Sequence, residues 1–278
     1  MDVRRSYLRA LSRALPWLAW PAPLESLYRR ASYRVRRAAD YRSRPDDVFV
    51  VSFPKSGTTL LQMMLYQMTT DGSLDIPHID AVCPWFESDL RAGAGRCFEA
   101  LPSPRIFKSH LRRRRLPATG RFLYIARDLH DVAIASYHHV CLVTGKDEDF
   151  EPFVGWFLSG RGEHGTWFAH LESWWPHRND PDVLFLLFDE VVADPAGTAR
   201  RIARFCGLRV DERHMPRIVE RCGLGFMKRH GAKLDPRLQR ISRRPEEFFR
   251  EGRPGSGRRE LTAAQRARLR AAAGGSWR

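Results

Sequence analysis

Four short apolar runs punctuate the chain. They are DVFVVSF at Asp47–Phe53, RIFKSH at Arg105–His110, RFLYIA at Arg121–Ala126 and VLFLLF at Val183–Phe188. Each is too short for a surface helix and is rich in β-branched or aromatic residues, which predicts strands. The first is apolar without alternation, the mark of a strand covered on both faces, as in a parallel sheet. Between the runs the spacing turns helical: Thr58–Met68, a helix from about Asp131, Trp167–Trp175, and Pro195–Cys206, which stops at Gly207. Residues 71–104 are rich in Pro, Gly and Asp and read as a long irregular stretch, and residues 144–166 as a Gly-rich, aromatic loop region. The Arg-, Gly- and Pro-rich end of the chain reads as loop with a terminal helix, Ala263–Ala273. Alternation of strand and helix predicts an α/β fold with a central, mainly parallel sheet and helices on both faces. The expected limits are 46–262 for this domain, with a basic helical extension over 1–45 and a helix and tail over 263–278.

Composition adds a direction. The 278 residues, 43% of them hydrophobic, suffice for one large α/β domain or two small ones. A formal net charge of +15 suggests an acidic partner (nucleic acid, an anionic membrane face or a polyanionic small molecule), or else an Arg-rich composition with no ligand behind it. The excess gathers near the N-terminus, in Arg112–Arg115 and in the C-terminal tail, which read as solvated segments and not as one groove. No nucleic-acid recognition motif accompanies it, so no such partner is expected. Five scattered cysteines without a C-x-x-C pair predict neither a disulfide framework nor a zinc site, and fit a reducing, cytoplasmic location. No apolar run approaches the ~18 residues of a membrane span. The N-terminal MDVRRSYLRALSRALPWLAWPAP is basic and amphipathic and lacks a signal-peptide core. It reads as a helix packed on the domain, with peripheral membrane contact as the alternative.

The chemistry concentrates where the first strand ends, at FPKSGTT (Phe53–Thr59). A strand that turns directly into a helix aims the first helical N–H groups at whatever sits above the turn, and the helix dipole adds to them. Gly57 permits close backbone approach, Ser56, Thr58 and Thr59 add hydroxyls, and Lys55 adds a mobile charge. The loop is P-loop-like, yet it lacks the first glycine of G-x-x-x-x-G-K-S/T, and its lysine precedes its only glycine. On the second run, residues two apart share a face, so Lys108 and His110 project together. A neutral His110 can take a proton from a hydroxyl, and a neighbouring lysine favours that neutral form.

FPKSGTT resembles the 5′-phosphosulfate loop of the sulfotransferases that use 3′-phosphoadenylyl sulfate (PAPS), Y/F-P-K-S/A-G-T-T/N-W/L. Further likenesses follow in order. RIFKSHL resembles the family's segment around its catalytic histidine. FLYIARDLHDVAIASYHH (Phe122–His139) resembles its 3′-phosphate segment, with Arg127 as the clamp. The family serine falls at Ala135, so either Ser136 serves or that contact is lost. GTWFAHLESWWPHRNDPDVLFLLFDEVVADP resembles a further stretch, in which Phe188 stands where the family often has tyrosine; its aromatics read as packing. FFREGRPGSGRREL (Phe248–Leu261) resembles the late nucleotide loop, keeping Arg250, Gly252, Gly255 and Arg258 but replacing Lys by Glu251 and Asp-Trp by Ser256-Gly257. Leu60 replaces a tryptophan that stacks on adenine.

The resemblance covers about residues 47–262. It implies PAPS as co-substrate, adenosine 3′,5′-bisphosphate as product, no metal, and a small-molecule alcohol or phenol (or an amine) as acceptor. Lys55, Ser56, Gly57, Thr58 and Thr59 would hold the phosphosulfate, and Arg127, Ser136 and Arg250 the 3′-phosphate. Phe188 and Gly252 would complete the nucleotide site, and His110, Lys55 and Lys108 the chemistry. Aromatic residues in the acceptor loops (Trp85, Phe86, Phe98, Phe150, Phe153, Trp156) lean toward an apolar or aromatic alcohol. Competing readings are a P-loop kinase, against which the missing glycine and His110 stand; a basic nucleic-acid-binding protein; and a nucleotide binder without catalysis. No motif specifies the oligomeric state.

Overall fold

The computed structural model describes residues 33–34, 36–145, 149–235 and 248–272. The amphipathic N-terminal segment and most of the expected 1–45 extension therefore lie outside the described residues, although residues 36–40 are helical. Strands β1 (Val48–Val51), β2 (Ile106–Ser109), β3 (Arg121–Ala126) and β4 (Val183–Leu187) form one parallel sheet in the order β2-β1-β3-β4. All four expected strands are present.

Period-two alternation builds a different core on each face of this sheet. Val48 and Val50 pack into an aliphatic cluster with Leu123, Ile125 and Leu186. Phe49 and Val51 enter an aromatic cluster with Phe107, Phe122, Tyr124 and Trp174. Register aligns Phe107, Phe49 and Phe122 across three neighbouring strands. Their rings stack, Phe49 lying 5.2 Å from Phe107 and 5.3 Å from Phe122. At the start of the sheet a fully buried pair joins β1 to β2: Arg105 Nε donates to Asp47 Oδ1 at 2.6 Å and its Nη2 to Oδ2 at 2.8 Å. Tyr41 donates to the same carboxylate at 2.6 Å.

The helices used below are α1 (Thr58–Thr69), α2 (Phe86–Ala92), α3 (Leu129–Thr144), α4 (Phe150–Ser159), α5 (Trp167–Glu172), α6 (Phe188–Ala193), α7 (Pro195–Cys206), α8 (Met215–Cys222), α9 (Leu224–Arg229), α10 (Ser256–Glu260) and α11 (Ala263–Ala271). Helix α7 has the expected limits: the Asp194 side chain accepts from Gly197 N–H, Pro195 opens it, and Gly207 ends it in the left-handed region. Helix α3 starts at Leu129, two residues early, because Asp128 caps it through the N–H groups of His130 and Asp131. Helix α5 is shorter than expected and passes into a 3₁₀ turn, Trp175–His177, at Pro176. Helix α11 ends at Ala271.

Three expectations are corrected. Residues 71–104 are not simply irregular, for they hold α2 between 3₁₀ turns at Ile79–Ala81 and Gly95–Ala100. Residues 144–166 hold α4, masked in the sequence by Pro152 and Gly155. Asp149 caps that helix, Gly160 closes it, and Phe153, Val154 and Phe157 bury one face. The Arg112–Arg115 run is not a solvated segment either: the Arg113 guanidinium sits 4.3 Å from the Phe122 ring centroid and pairs with Asp182 at 3.1 Å.

In the order β2-β1-β3-β4 the chain leaves β1 for one neighbour and later passes β1 to reach the other. The switch point lies between β1 and β3, and ligands of open α/β sheets bind there, above the carboxyl ends of the strands. The loops after β1, β2 and β3 carry Lys55, His110 and Arg127.

Candidate active site

The β1–α1 loop adopts a backbone few sequences tolerate. Lys55 has φ 69° and Gly57 φ 111°, both in the left-handed region. A Cβ at Gly57 would stand 2.8 Å from Phe188 Cδ2. No acidic residue and no side-chain cap occupy the first turn of α1, so its N–H groups and dipole are uncompensated by its own side chains. Ser52 and Thr58 hydroxyls pair at 2.6 Å, while the buried Ser56 hydroxyl has no hydrogen-bond partner among the described residues. An anion with several oxygens fits this donor set.

Phe188, the first residue of α6, is buried between two parts of the cradle. One side of its ring meets Gly57, and the Arg127 guanidinium lies 4.2 Å from its centroid. Arg127 follows β3 directly. Its Nη1 donates to the Lys55 carbonyl at 3.4 Å and its Nη2 to the Arg253 carbonyl at 3.3 Å, while its buried Nε has no partner among the described residues. Burial lowers its pKa from the usual arginine value, with the Asp131 carboxylate opposing.

His110 stands just past β2 with its ring buried. Its Nδ1 lies 2.8 Å from the Ser52 carbonyl oxygen. A carbonyl only accepts, so Nδ1 carries the proton and Nε2 keeps the lone pair. Burial first, then His164 and Lys108, holds its pKa well below the ordinary imidazole value. The backbone of this residue is fixed at both ends. Its N–H donates to Glu87 Oε1 at 2.8 Å, and its carbonyl accepts from His170 Nε2 at 3.2 Å. The Tyr124 hydroxyl lies 3.1 Å from His170 Nδ1, and Trp174 Nε1 donates to the Leu111 carbonyl at 3.2 Å. The aromatic segment read as packing thus also holds the end of β2.

A cavity of about 600 Å³ gathers these groups. Lys55, Gly57, Thr58, Thr59, Lys108 and His110 line it. Arg127, Ser136, Phe188, Arg250 and Gly252 line it as well, and so does Ala135, beside Ser136 on α3. Ser56 is adjacent and buried but is not among the lining residues. Lys55 Nζ lies 3.7 Å from the Phe248 ring centroid, and Lys108 Nζ 4.9 Å from that of Trp85. Arg250 does not extend alone into the cavity: its guanidinium pairs with Glu260, which also meets His138 Nε2 at 2.7 Å. Of the aromatics expected around an acceptor, Trp85 and Trp156 line the cavity. Phe86, Phe98 and Phe153 are instead core.

Residues 45–274 match the family model described as Sulfotransferase domain. The chain belongs to this family. Among the relatives of this sulfotransferase is Sulfotransferase 1C2 of Oryctolagus cuniculus, 28% identical over 249 residues that cover 82% of each chain. Sulfotransferase 4A1 of Mus musculus is 32% identical over 194 residues, 66% of this chain and 68% of its own. Among solved structures, retinol dehydratase in complex with androsterone and inactive cofactor PAP superposes with a TM-score of 0.74 at 25% identity, covering 87% of this chain and 84% of that one. Mouse sulfotransferase SULT7A1 complexed with PAP gives 0.69 at 26% identity, with 85% of each covered.

Glu87, His164, His170, Phe248 and Asp131 line this cavity or hold residues that do, and were not singled out from sequence. His170, Asp131 and Phe248 lie inside motifs quoted above. Glu87 lies in the 71–104 stretch that reads as irregular and gave no signal of its own.

Proposed function

We propose that the chain transfers the sulfuryl group of PAPS to a hydroxyl of a small, largely apolar acceptor, with His110 as general base. The observation that carries this reading is the fixed tautomer of His110, whose unprotonated Nε2 belongs to a ring that lines the same cavity as the Lys55 loop and Lys108. The uncompensated N–H groups at the start of α1, with Thr58 and Thr59 lining the cavity, fit a phosphosulfate, and the glycine that admits no Cβ is the mark of that close approach. PAPS supplies an activated sulfuryl group, whose bond to the phosphate oxygen breaks, the phosphate keeping the electron pair, as the acceptor oxygen takes the sulfur. His110 Nε2 accepts the hydroxyl proton. Lys55 and Lys108 offset charge that grows on the bridging and sulfuryl oxygens. Arg127, Ser136 and Arg250 hold the 3′-phosphate, for which Arg250 must exchange Glu260. Phe188 keeps Arg127 and the loop in register, and Gly252 shapes the late loop.

Titrating adenosine 3′,5′-bisphosphate into the wild type and Lys55→Ala, with ATP as control, tests the nucleotide half. Micromolar binding, indifferent to ATP and weakened in the variant, is expected. Absence of binding at moderate salt would refute the reading. Turnover with PAPS, abolished in His110→Ala while bisphosphate binding persists, tests the base. Among the described residues no helix is long and apolar enough to cross a membrane. Five cysteines, all free thiols, agree with a cytoplasmic location.

A further inference from the structure

A second imidazole stands beside the base. His164, in the loop after α4, lines the cavity. Its ring stacks on the Trp85 indole, with centroids 6.2 Å apart and planes 27° from parallel. It meets the His110 ring edge-on at 5.2 Å, and Trp85 meets His110 at 5.4 Å, so three rings form one corner. The His164 ring nitrogens make no hydrogen bond to a described residue. Its surroundings include Glu163, which pairs with Arg91 at 2.6 Å, and the charges of Glu87 and Lys108. Burial holds its pKa below the ordinary value, so at neutral pH the ring offers one donor and one acceptor.

We propose that His164 reads the acceptor by hydrogen-bonding a second polar group next to the reacting hydroxyl, so that the enzyme favours catechols over simple phenols. The inference rests on the reading of His110 as base. A hydroxyl that gives its proton to His110 sits within about 3 Å of Nε2. His164 then flanks the neighbouring ring position, while Trp85 offers a flat apolar wall. A catechol satisfies the half-buried imidazole, whereas a phenol leaves it without a partner.

Initial rates with PAPS are measured for catechol and phenol on the full chain, in the wild type, His164→Phe and His164→Gln. The wild type is expected to prefer catechol. In His164→Phe, which keeps a flat ring against Trp85, the catechol-to-phenol ratio of kcat/KM falls about fivefold. His164→Gln, which restores an amide donor and acceptor, recovers part of it. A wild type without catechol preference, or a ratio unmoved in His164→Phe, overturns the assignment. Bisphosphate titration separates the two failures. A wild type that binds adenosine 3′,5′-bisphosphate but sulfates neither acceptor overturns the role of His164 and leaves the nucleotide site standing. One that binds no bisphosphate overturns the proposed function as well.

Discussion

At the scale of single residues the site depends on two constraints that can be tested one atom at a time. The first is the protonation state of His110. Burial, then His164 and Lys108, depresses its pKa, so the neutral imidazole persists as pH falls through 6.5, the usual value. The acid limb of the kcat/KM profile is expected below pH 6.5. Removing the Lys108 charge eases protonation, so in Lys108→Met that limb moves to higher pH while the rate itself drops. A limb that stays in place in the variant would mean that Lys108 does not tune the base. The second constraint is the absence of a side chain at Gly57. Alanine there combines a φ of 111° with a Cβ 2.8 Å from Phe188. About 1–3 kcal/mol of destabilisation is expected from the backbone alone. Bisphosphate affinity should fall with it, because the loop and the Phe188 platform for Arg127 move together; melting and calorimetry of Gly57→Ala measure both.

At the scale of elements, the late loop is held by a carboxylate on another helix. Asp131, in the first turn of α3, accepts from Gly255 N–H at 2.8 Å, Gly257 N–H at 2.7 Å and the Ser256 hydroxyl at 3.3 Å. It also lies 3.5 Å from Arg127 Nη2. The seat is tight, since a Cβ on Gly257 would come within 2.4 Å of the His130 carbonyl carbon. Asp131→Ala is therefore expected to release the segment from Arg250 to Arg259. Trypsin should cut it faster, and bisphosphate affinity should fall about tenfold through loss of charge-assisted bonds. Asn, which keeps an acceptor, should fall between. Unchanged proteolysis would show that the loop is held elsewhere. This contact also marks how far the sequence carries. All four strands were readable as short runs rich in β-branched or aromatic residues, and β1, buried on both faces, as an unbroken apolar one. That the Lys55 loop, Lys108, His110 and Arg127 meet at one cavity was readable because each lies at or just past the carboxyl end of a strand. Asp131 with its loop, and Glu87 with the His110 N–H, unite positions more than twenty residues apart, and no local pattern encodes such pairings. Helix α4 was hidden because Pro152 and Gly155 inside it outweighed the Asp149 cap, and α2 because it is only seven residues long, has no side-chain cap and lies between Pro84 and Gly93.

At the scale of the whole molecule, the net charge of +15 does not describe a single basic surface. Among the described residues arginines pair with acids across the exterior, as in Arg44–Glu99, Arg200–Glu212 and Arg268–Glu151. Such exposed pairs contribute roughly 0–1 kcal/mol each. Acid stability is governed instead by imidazoles buried in neutral form, and His170 is the clearest case. It is fully buried, and burial first, then His164, lowers its pKa from 6.5 to about 3, with the bond to the His110 carbonyl opposing. Between those values the unfolded chain binds a proton that the folded chain does not, so stability falls as pH drops from about 6.5 and stops falling from this source near pH 3. His110 and His164, also depressed, act with the same sign. The wild type should therefore lose several degrees of Tm between pH 7 and pH 5. His170→Gln preserves a donor toward the His110 carbonyl and an acceptor for Tyr124 but cannot titrate. Its melting temperature at pH 7 should lie below that of the wild type because its fit is poorer, and its decline toward pH 5 should be shallower. A decline parallel to the wild type would assign the acid sensitivity to other groups. A variant with a shallower slope and unimpaired turnover would confine His170 to stability and remove it from the positioning of His110.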